Sequence, residues 1–258
     1  MKNPFYYLRL VIFILVALLS SCASKRDVVY FQDAGDFETL VGENDFSPKF
    51  KVDDVVSIHI STLNEEASAP FNLYRGVSNS TPGSTLQNVD YLVDEAGEID
   101  FPVIGKIKIS GLSPEELRVL LRKELSEYLK DPIINIRLQN FTVTILGEVK
   151  NPGTYLVNGE RITVLEALGL AGDLTIKGQR ENVLVIRDFD GTKVYNRIDL
   201  RSKQAMNSLV YYLTQNDVVY VEQNASAVTS SQLDNRATIL VSIASILITS
   251  TVILITRN

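Results

Sequence analysis

The residues able to do acid–base or covalent chemistry are the acidic pairs Asp53-Asp54, Glu65-Glu66, Asp94-Glu95 and Glu115-Glu116, the single histidine His59 and the single cysteine Cys22. Hydrolysis of a glycan needs two carboxylates facing each other across about 5–10 Å. Neighbours on a strand point to opposite faces, so Asp53 and Asp54 do not converge. Glu115 and Glu116 fall in the first turn of a helix, where the positive end of the dipole accounts for them. His59 sits on a strand with no cysteine or carboxylate set around it, which reads as a strand side chain rather than a metal ligand or proton switch. No nucleophile motif, phosphate loop or metal-ligand spacing is present, so the expectation is a protein that is not an enzyme and holds no metal or cofactor.

Cys22 has a different setting. Residues 1–21 carry Lys2 and Arg9, then the apolar run Val11–Leu19, then Ser20-Ser21. A basic start, a short apolar core and small residues before the cut describe a signal peptide, and the run is too short to cross a bilayer. Leu19-Ser20-Ser21-Cys22 resembles a bacterial lipobox, which implies cleavage before Cys22 and a palmitate-type acyl anchor on its thiol. Ala23 follows, where inner-membrane retention usually has aspartate. Losing the signal takes the formal charge from −6 to −8, and no basic cluster remains, so nucleic acid is a poor partner. With one cysteine there is no intrachain disulfide, and the fold must rest on its own core.

Ala237–Thr256 contains no charged residue and is flanked by Arg236 and Arg257. As a helix it spans about 30 Å, the thickness of a hydrocarbon layer. Thr238, Ser242, Ser245, Thr249 and Thr256 recur at spacings of three, four or seven, placing hydroxyls on one stripe. Helix packing, a wet pore lining and hydroxyls bonded back to their own helix compete as readings. Packing is favoured, because the serines are small and only weakly polar.

The chain between reads as mixed α and β. After a segment including Val28-Val29-Tyr30-Phe31, Val55–Ile60 alternates, with Val56, Ile58 and Ile60 on one face. Asn64–Asp90 is a long insertion around Phe71, Tyr74 and Arg75, either functional or poorly ordered. Ser113-Pro114-Glu115-Glu116 opens a helix with an N-cap, a first-turn proline and a capping-box glutamate. Leu117, Leu120, Leu121, Leu125, Tyr128 and Leu129 form its apolar face, and Asp131-Pro132 stops it. Strands follow at 133–138 and 142–146, then a short helix from Thr163 to about Ala171-Gly172, then strands near 183–187, 194–198 and 218–221.

Phe50-Lys51-Val52-Asp53-Asp54-Val55-Val56, Tyr91-Leu92-Val93-Asp94, Phe101-Pro102-Val103-Ile104-Gly105 and Gly111-Leu112-Ser113 resemble a polysaccharide export domain. Gly147-Glu148-Val149-Lys150-Asn151-Pro152-Gly153-Thr154-Tyr155, Arg161–Leu168, Ala171-Gly172 and Asn216–Val221 resemble an SLBB domain, a β-grasp module. Their ordered combination resembles the Wza-like outer-membrane auxiliary proteins of capsule and exopolysaccharide export. The expected fold is α+β: signal peptide 1–21, lipid-anchored segment 22–45, β-rich export domain 46–140, β-grasp-like SLBB domain 141–222, linker 223–236 and transmembrane helix 237–256.

The resemblance implies an outer-membrane lipoprotein, a ring-shaped homo-oligomer (octameric by resemblance) and a periplasmic body continued by a barrel of C-terminal helices. Capsular or exopolysaccharide would pass through it, with an inner-membrane polysaccharide co-polymerase or chain-length protein docking below. This sequence has one SLBB module where the best-known relatives have two, and a more uniformly apolar last helix. The alternative is a membrane-anchored scaffold that binds glycan or an export partner without forming a pore.

Overall fold

The computed structural model describes residues 28–35, 47–75, 87–189 and 191–224, with separate helical positions between 239 and 250. In β1 (Val55–Ser61) alternate residues are buried, so Val56, Ile58 and Ile60 face inward while His59 lies on the other face. A short helix α1 (Glu65–Ser68) and a 3₁₀ turn follow, and Phe71 is buried with the first core. Part of the long insertion is therefore built structure: β2 (Tyr74–Arg75) pairs with β3 (Gln87–Asn88).

β1 pairs antiparallel with β4 (Tyr91–Leu92) and β7 (Ile133–Leu138), in the order β4-β1-β7. The Phe101–Gly105 and Gly111 motifs belong to a hairpin, β5 (Glu98–Phe101) with β6 (Gly105–Lys108), and the turn after it. Helix α2 (Pro114–Leu125) is capped reciprocally: Glu116 N donates to Ser113 Oγ at 3.2 Å, and Ser113 N donates to Glu116 Oε2 at 2.7 Å. Such a cap is worth about 1 kcal/mol. Leu117, Leu121 and Leu125 then join Ile58, Ile134 and Ile136 in one core. Burying each leucine contributes roughly 1.5–3 kcal/mol.

Two sequence expectations for this helix need correction. It ends at Leu125, well before Asp131-Pro132, because the chain tightens: Ser126 N and Ser126 Oγ both bond Lys123 O, and Tyr128 N bonds Leu125 O. Tyr128 is consequently swung out of the apolar face and stays 56% exposed, touching the ring of Phe71 at 5.7 Å.

The second unit is a five-stranded sheet in the order β12-β11-β14-β8-β9. Its strands are β8 (Thr142–Gly147), β9 (Gly153–Leu156), β11 (Val183–Phe189), β12 (Thr192–Ile198) and β14 (Val218–Val221). All neighbours are antiparallel except β14 and β8. Helix α3 (Val164–Leu170), with its own capping box between Thr163 and Glu166, buries Val164, Ala167 and Leu168 against Val143, Ile145, Val185 and Val219. A small pair, β10 (Ile162–Thr163) with β13 (Tyr212–Leu213), closes the side.

Asp217, fully buried at the start of β14, sets this sheet. Arg187 Nη2 donates to it at 2.7 Å and Arg187 Nε at 3.1 Å, while Thr214 N and Thr214 Oγ1 supply two more bonds at 2.8 and 2.9 Å. A buried carboxylate is tolerable only when so fully paired. Gly147 ends β8 at φ +88, with Val221 O 2.0 Å from where a Cβ would stand. The neighbouring Glu148 N takes that same carbonyl at 3.0 Å.

The two units meet at Asn140. Its side chain accepts from Val55 N and donates to Asp53 O, both at 2.9 Å, while Gln215 Nε2 reaches Asn140 O and Thr142 N donates to Gln215 Oε1 at 2.8 Å. Lys51 Nζ also donates to Asp188 O at 3.2 Å, and Leu138 packs against both cores.

Gly147→Ala combines a left-handed backbone with a collision against backbone, and should destabilise the protein by at least about 2 kcal/mol. Gly111→Ala, also at positive φ but with open space beside it, should cost about 1 kcal/mol. Equilibrium urea unfolding of the two variants checks the order.

Candidate functional surface

The acidic pairs each have a local occupation. Asp54 is buried at the first turn, where Lys51 N donates to it at 2.8 Å, while Asp53 next to it takes a left-handed φ of 69 and stays exposed. Burial pushes the Asp54 carboxyl up to about 6, opposed by the Lys51 amide. Glu116 is occupied by its capping box and Glu115 pairs with Arg118. Glu65 and Glu66 lie in the first turn of α1, and Glu66 N is capped by Asn64. Asp94 takes Glu98 N at 2.8 Å. His59 meets Asn88 Nδ2 through Nδ1 at 3.1 Å, opposite Asn135 in the β1–β7 register. No group of three or more His, Cys, Asp or Glu able to hold a metal occurs among the described residues.

What the fold does bring together is the two ends of the described body. Val28–Gly35 does not lie on the first unit, which it precedes in sequence, but along the second. Phe31 N bonds Leu200 O at 3.2 Å and Gln32 N bonds Arg201 O at 2.6 Å. Asp33 accepts Ser202 Oγ and Lys203 N, both at 2.7 Å, and those bonds hold its carboxyl below the usual range. The Tyr30 ring covers Arg180 at 5.1 Å, and its hydroxyl donates to Asp173 at 2.5 Å. Burial first, then Asp173, pushes the Tyr30 hydroxyl upward.

Arg180 is 4% exposed; its Nη1 reaches the carbonyls of Thr175 and Gly178, its Nη2 that of Leu174, and its Nε has no partner. It therefore holds the loop 173–180 closed from within, under the tyrosine. The outgoing chain grips the same loop: Gln179 N bonds Glu222 O at 2.8 Å, Asn224 N bonds Lys177 O at 2.7 Å and Asn224 Nδ2 bonds Ile176 O at 3.2 Å. Sequence reasoning missed this convergence. Val28–Phe31 carried a weak apolar signal, but nothing local links it to residues 143 or more positions away.

Cys22, Thr238 and Thr256 lie outside the described residues. In the tail, Ser245 Oγ donates to Ser242 O at 2.8 Å and Thr249 Oγ1 to Ser245 O at 2.6 Å, the back-bonded arrangement. Each oxygen keeps lone pairs for a neighbouring helix. Among the described residues no helix is long and apolar enough to cross a membrane, and most of 237–256 is outside them. A cleft of about 740 Å³ runs between the units, past Arg118, the edge of β7 and the turn Leu156–Glu160.

Comparison with known proteins matches residues 44–139 to the family described as polysaccharide biosynthesis/export protein, and residues 142–196 to the SLBB domain. The second match stops short of β14, the strand at the centre of the sheet. A relative from Ralstonia nicotianae, "EPS I polysaccharide export outer membrane protein EpsA", is 29% identical over 137 residues, 52% of this chain and 35% of that protein. A protein of the same description from Ralstonia solanacearum is 31% identical over 101 residues, 38% of this chain and 27% of that protein. The chain thus spans about a third or less of the length of these curated relatives.

Two outcomes are expected. The Asp54 carboxyl has a folded value above its unfolded one, so its contribution to stability is full below about pH 4 and lost as pH rises through about 6. Asp54→Asn keeps the acceptor and should remove that fall, on the order of 2 kcal/mol between pH 4 and 7, in unfolding measured across pH. Tyr30→Ala should uncover Arg180 and free residues 28–35. Limited proteolysis there should speed up about tenfold, the equivalent of about 1.4 kcal/mol of opening.

Proposed function

Because the chain belongs to the polysaccharide biosynthesis/export protein family, we propose that it is the subunit of an outer-membrane conduit for capsular or exopolysaccharide. The observation that carries this reading is the convergence of both chain ends on the loop 173–180 of the second unit. Cys22 stands six residues before Val28, a reach of at most about 20 Å. Ala237 stands thirteen residues after Asn224. An acyl chain on Cys22 and a helix over 237–256 therefore attach to the membrane from one side of the molecule. The second unit then lies next to the membrane, and the first projects into the periplasm.

In this reading copies of the chain close into a ring, with the helices crossing the outer membrane and the polymer moving through the lumen. An inner-membrane co-polymerase or chain-length protein meets the first unit at the far end. The protein performs no covalent chemistry on the glycan, consistent with carboxylates spent on caps, turns and the core. The back-bonded Ser245 and Thr249 favour one second reading, in which the helix is only an anchor and the protein a scaffold that binds glycan or a partner. Hydroxyls bonded to their own helix need no neighbour to satisfy them.

Removing residues 237–258 should abolish surface polysaccharide while leaving its synthesis intact, read by surface labelling against total polymer. Normal export by the truncated protein would sink the conduit. Imaging of the detergent-extracted full chain separates the readings: closed rings with a lumen support the conduit, and monomers support the scaffold.

A further inference from the structure

The five-stranded sheet of the second unit has two edges that pair with no other strand among the described residues, and they match each other. β12 is antiparallel to β11, β11 to β14, and β8 to β9, while β14 and β8 are parallel. β12 and β9, the outermost strands, consequently run in opposite directions. A second copy set beside the first presents its β12 to this β9 antiparallel, the better-bonded arrangement.

The edges also fit in chemistry. Beside β9 lies a groove of about 450 Å³ with Ile162 and Leu170 in its walls, on the side of the sheet covered by α3, while Leu156, paired with Thr142, is exposed on the other face. β12 carries Val194 on that same side, paired across from Arg187, and Val194 is 39% exposed in the single chain. Tyr195, 65% exposed, and Phe189, 66% exposed, flank it. Free edges of soluble proteins are usually blunted by charge. Here Lys193 turns back to Asp188 and Arg197 to Glu222, over the outer face of their own sheet, so neither cation covers the backbone edge. The strand as a whole bears these two cations and no acid. Glu160, at the end of the β9 turn, has no ion-pair partner among the described residues, and Arg161 beside it is turned onto the ring of Tyr212 at 5.3 Å.

We infer that β12 of one copy adds to β9 of the next, so that the sheets of the second units continue from subunit to subunit. This rests on the ring reading above and names the contact that closes it. The contact joins two different surfaces, so it propagates head to tail and closes only if the rotation between copies permits. Val194 of the incoming strand fills the groove at Ile162 and Leu170, and Tyr195 on the outer face comes to lie beside Leu156.

The test uses the full-length protein carrying Leu156→Cys together with Lys193→Cys, Val194→Cys or Tyr195→Cys in turn. Cys22 is the only native cysteine, so the unmodified chain supplies the baseline. After detergent extraction and treatment with a short bismaleimide, at least one pair should give a ladder of covalent oligomers ending at the ring size seen by imaging. Each single substitution should give monomer. Rings in the images with no ladder from any pair overturn the edge contact and leave the conduit standing. A covalent dimer from one substitution alone means symmetric edge pairing and also overturns it. Monomers in the images of the unmodified protein overturn both.

Discussion

Parallel strands cannot be joined by a tight turn, and between β8 and β14 the connection carries α3, β11 and β12 before the chain returns. The return is fixed at one point. Asp217 arrives fully buried and is held by Arg187 and Thr214, so β14 can enter only in the register that pairs Val218 with Thr144 and Val221 with Gly147. A slip of one residue would turn Val219 and Val221 out of the core. It would also leave the carboxylate without partners, a cost of several kcal/mol. That register brings Glu222 to Gln179 and Asn224 to Lys177. The exit of the chain beside the loop 173–180 is thus a consequence of how one acidic side chain is satisfied.

The joint between units works by a similar economy. Asn140 satisfies backbone groups of the first unit with its side chain and offers its own carbonyl to Gln215 of the second. A single amide residue between two cores therefore orients both, with Lys51 adding a bond to Asp188 O. The cleft on one side of the joint opens along the edge of β7, whose outer side pairs with no other strand among the described residues and takes Arg118 Nε at Ile134 O, 3.4 Å away.

Local chemistry was the legible part of the sequence. Both capping boxes, the alternation of β1 and the left-handed stop at Gly172 are short-range effects, and each stands in the structure where its residues indicate. The boundary of α2 was not, since Ser126 competes for a backbone carbonyl that the proline rule ignores. The hairpin β5–β6 was present only as a motif, because strands of four residues give too little alternation to read. The Tyr30–Arg180 contact, the Asn140 joint and the Asp217 network are long-range pairings of polar residues. Nothing in the neighbourhood of either partner marks them. The lipidation site and two of the five stripe hydroxyls, Thr238 and Thr256, rest on the sequence alone.

The grip of both chain ends on one loop has a mechanical side. Under the proposed anchoring at Cys22 and in the tail, tension from a moving or curving membrane would reach the protein through Tyr30 and Asn224. Both deliver it to residues 173–180, which Arg180 cross-braces through three carbonyls. From Asn224 the pull passes along the axis of β14, flanked by β8 and β11, so the hydrogen bonds on its two sides share the strain rather than opening one after another. Among the described residues the first unit meets the second at Leu138, Asn140 and Lys51, to the side of this path.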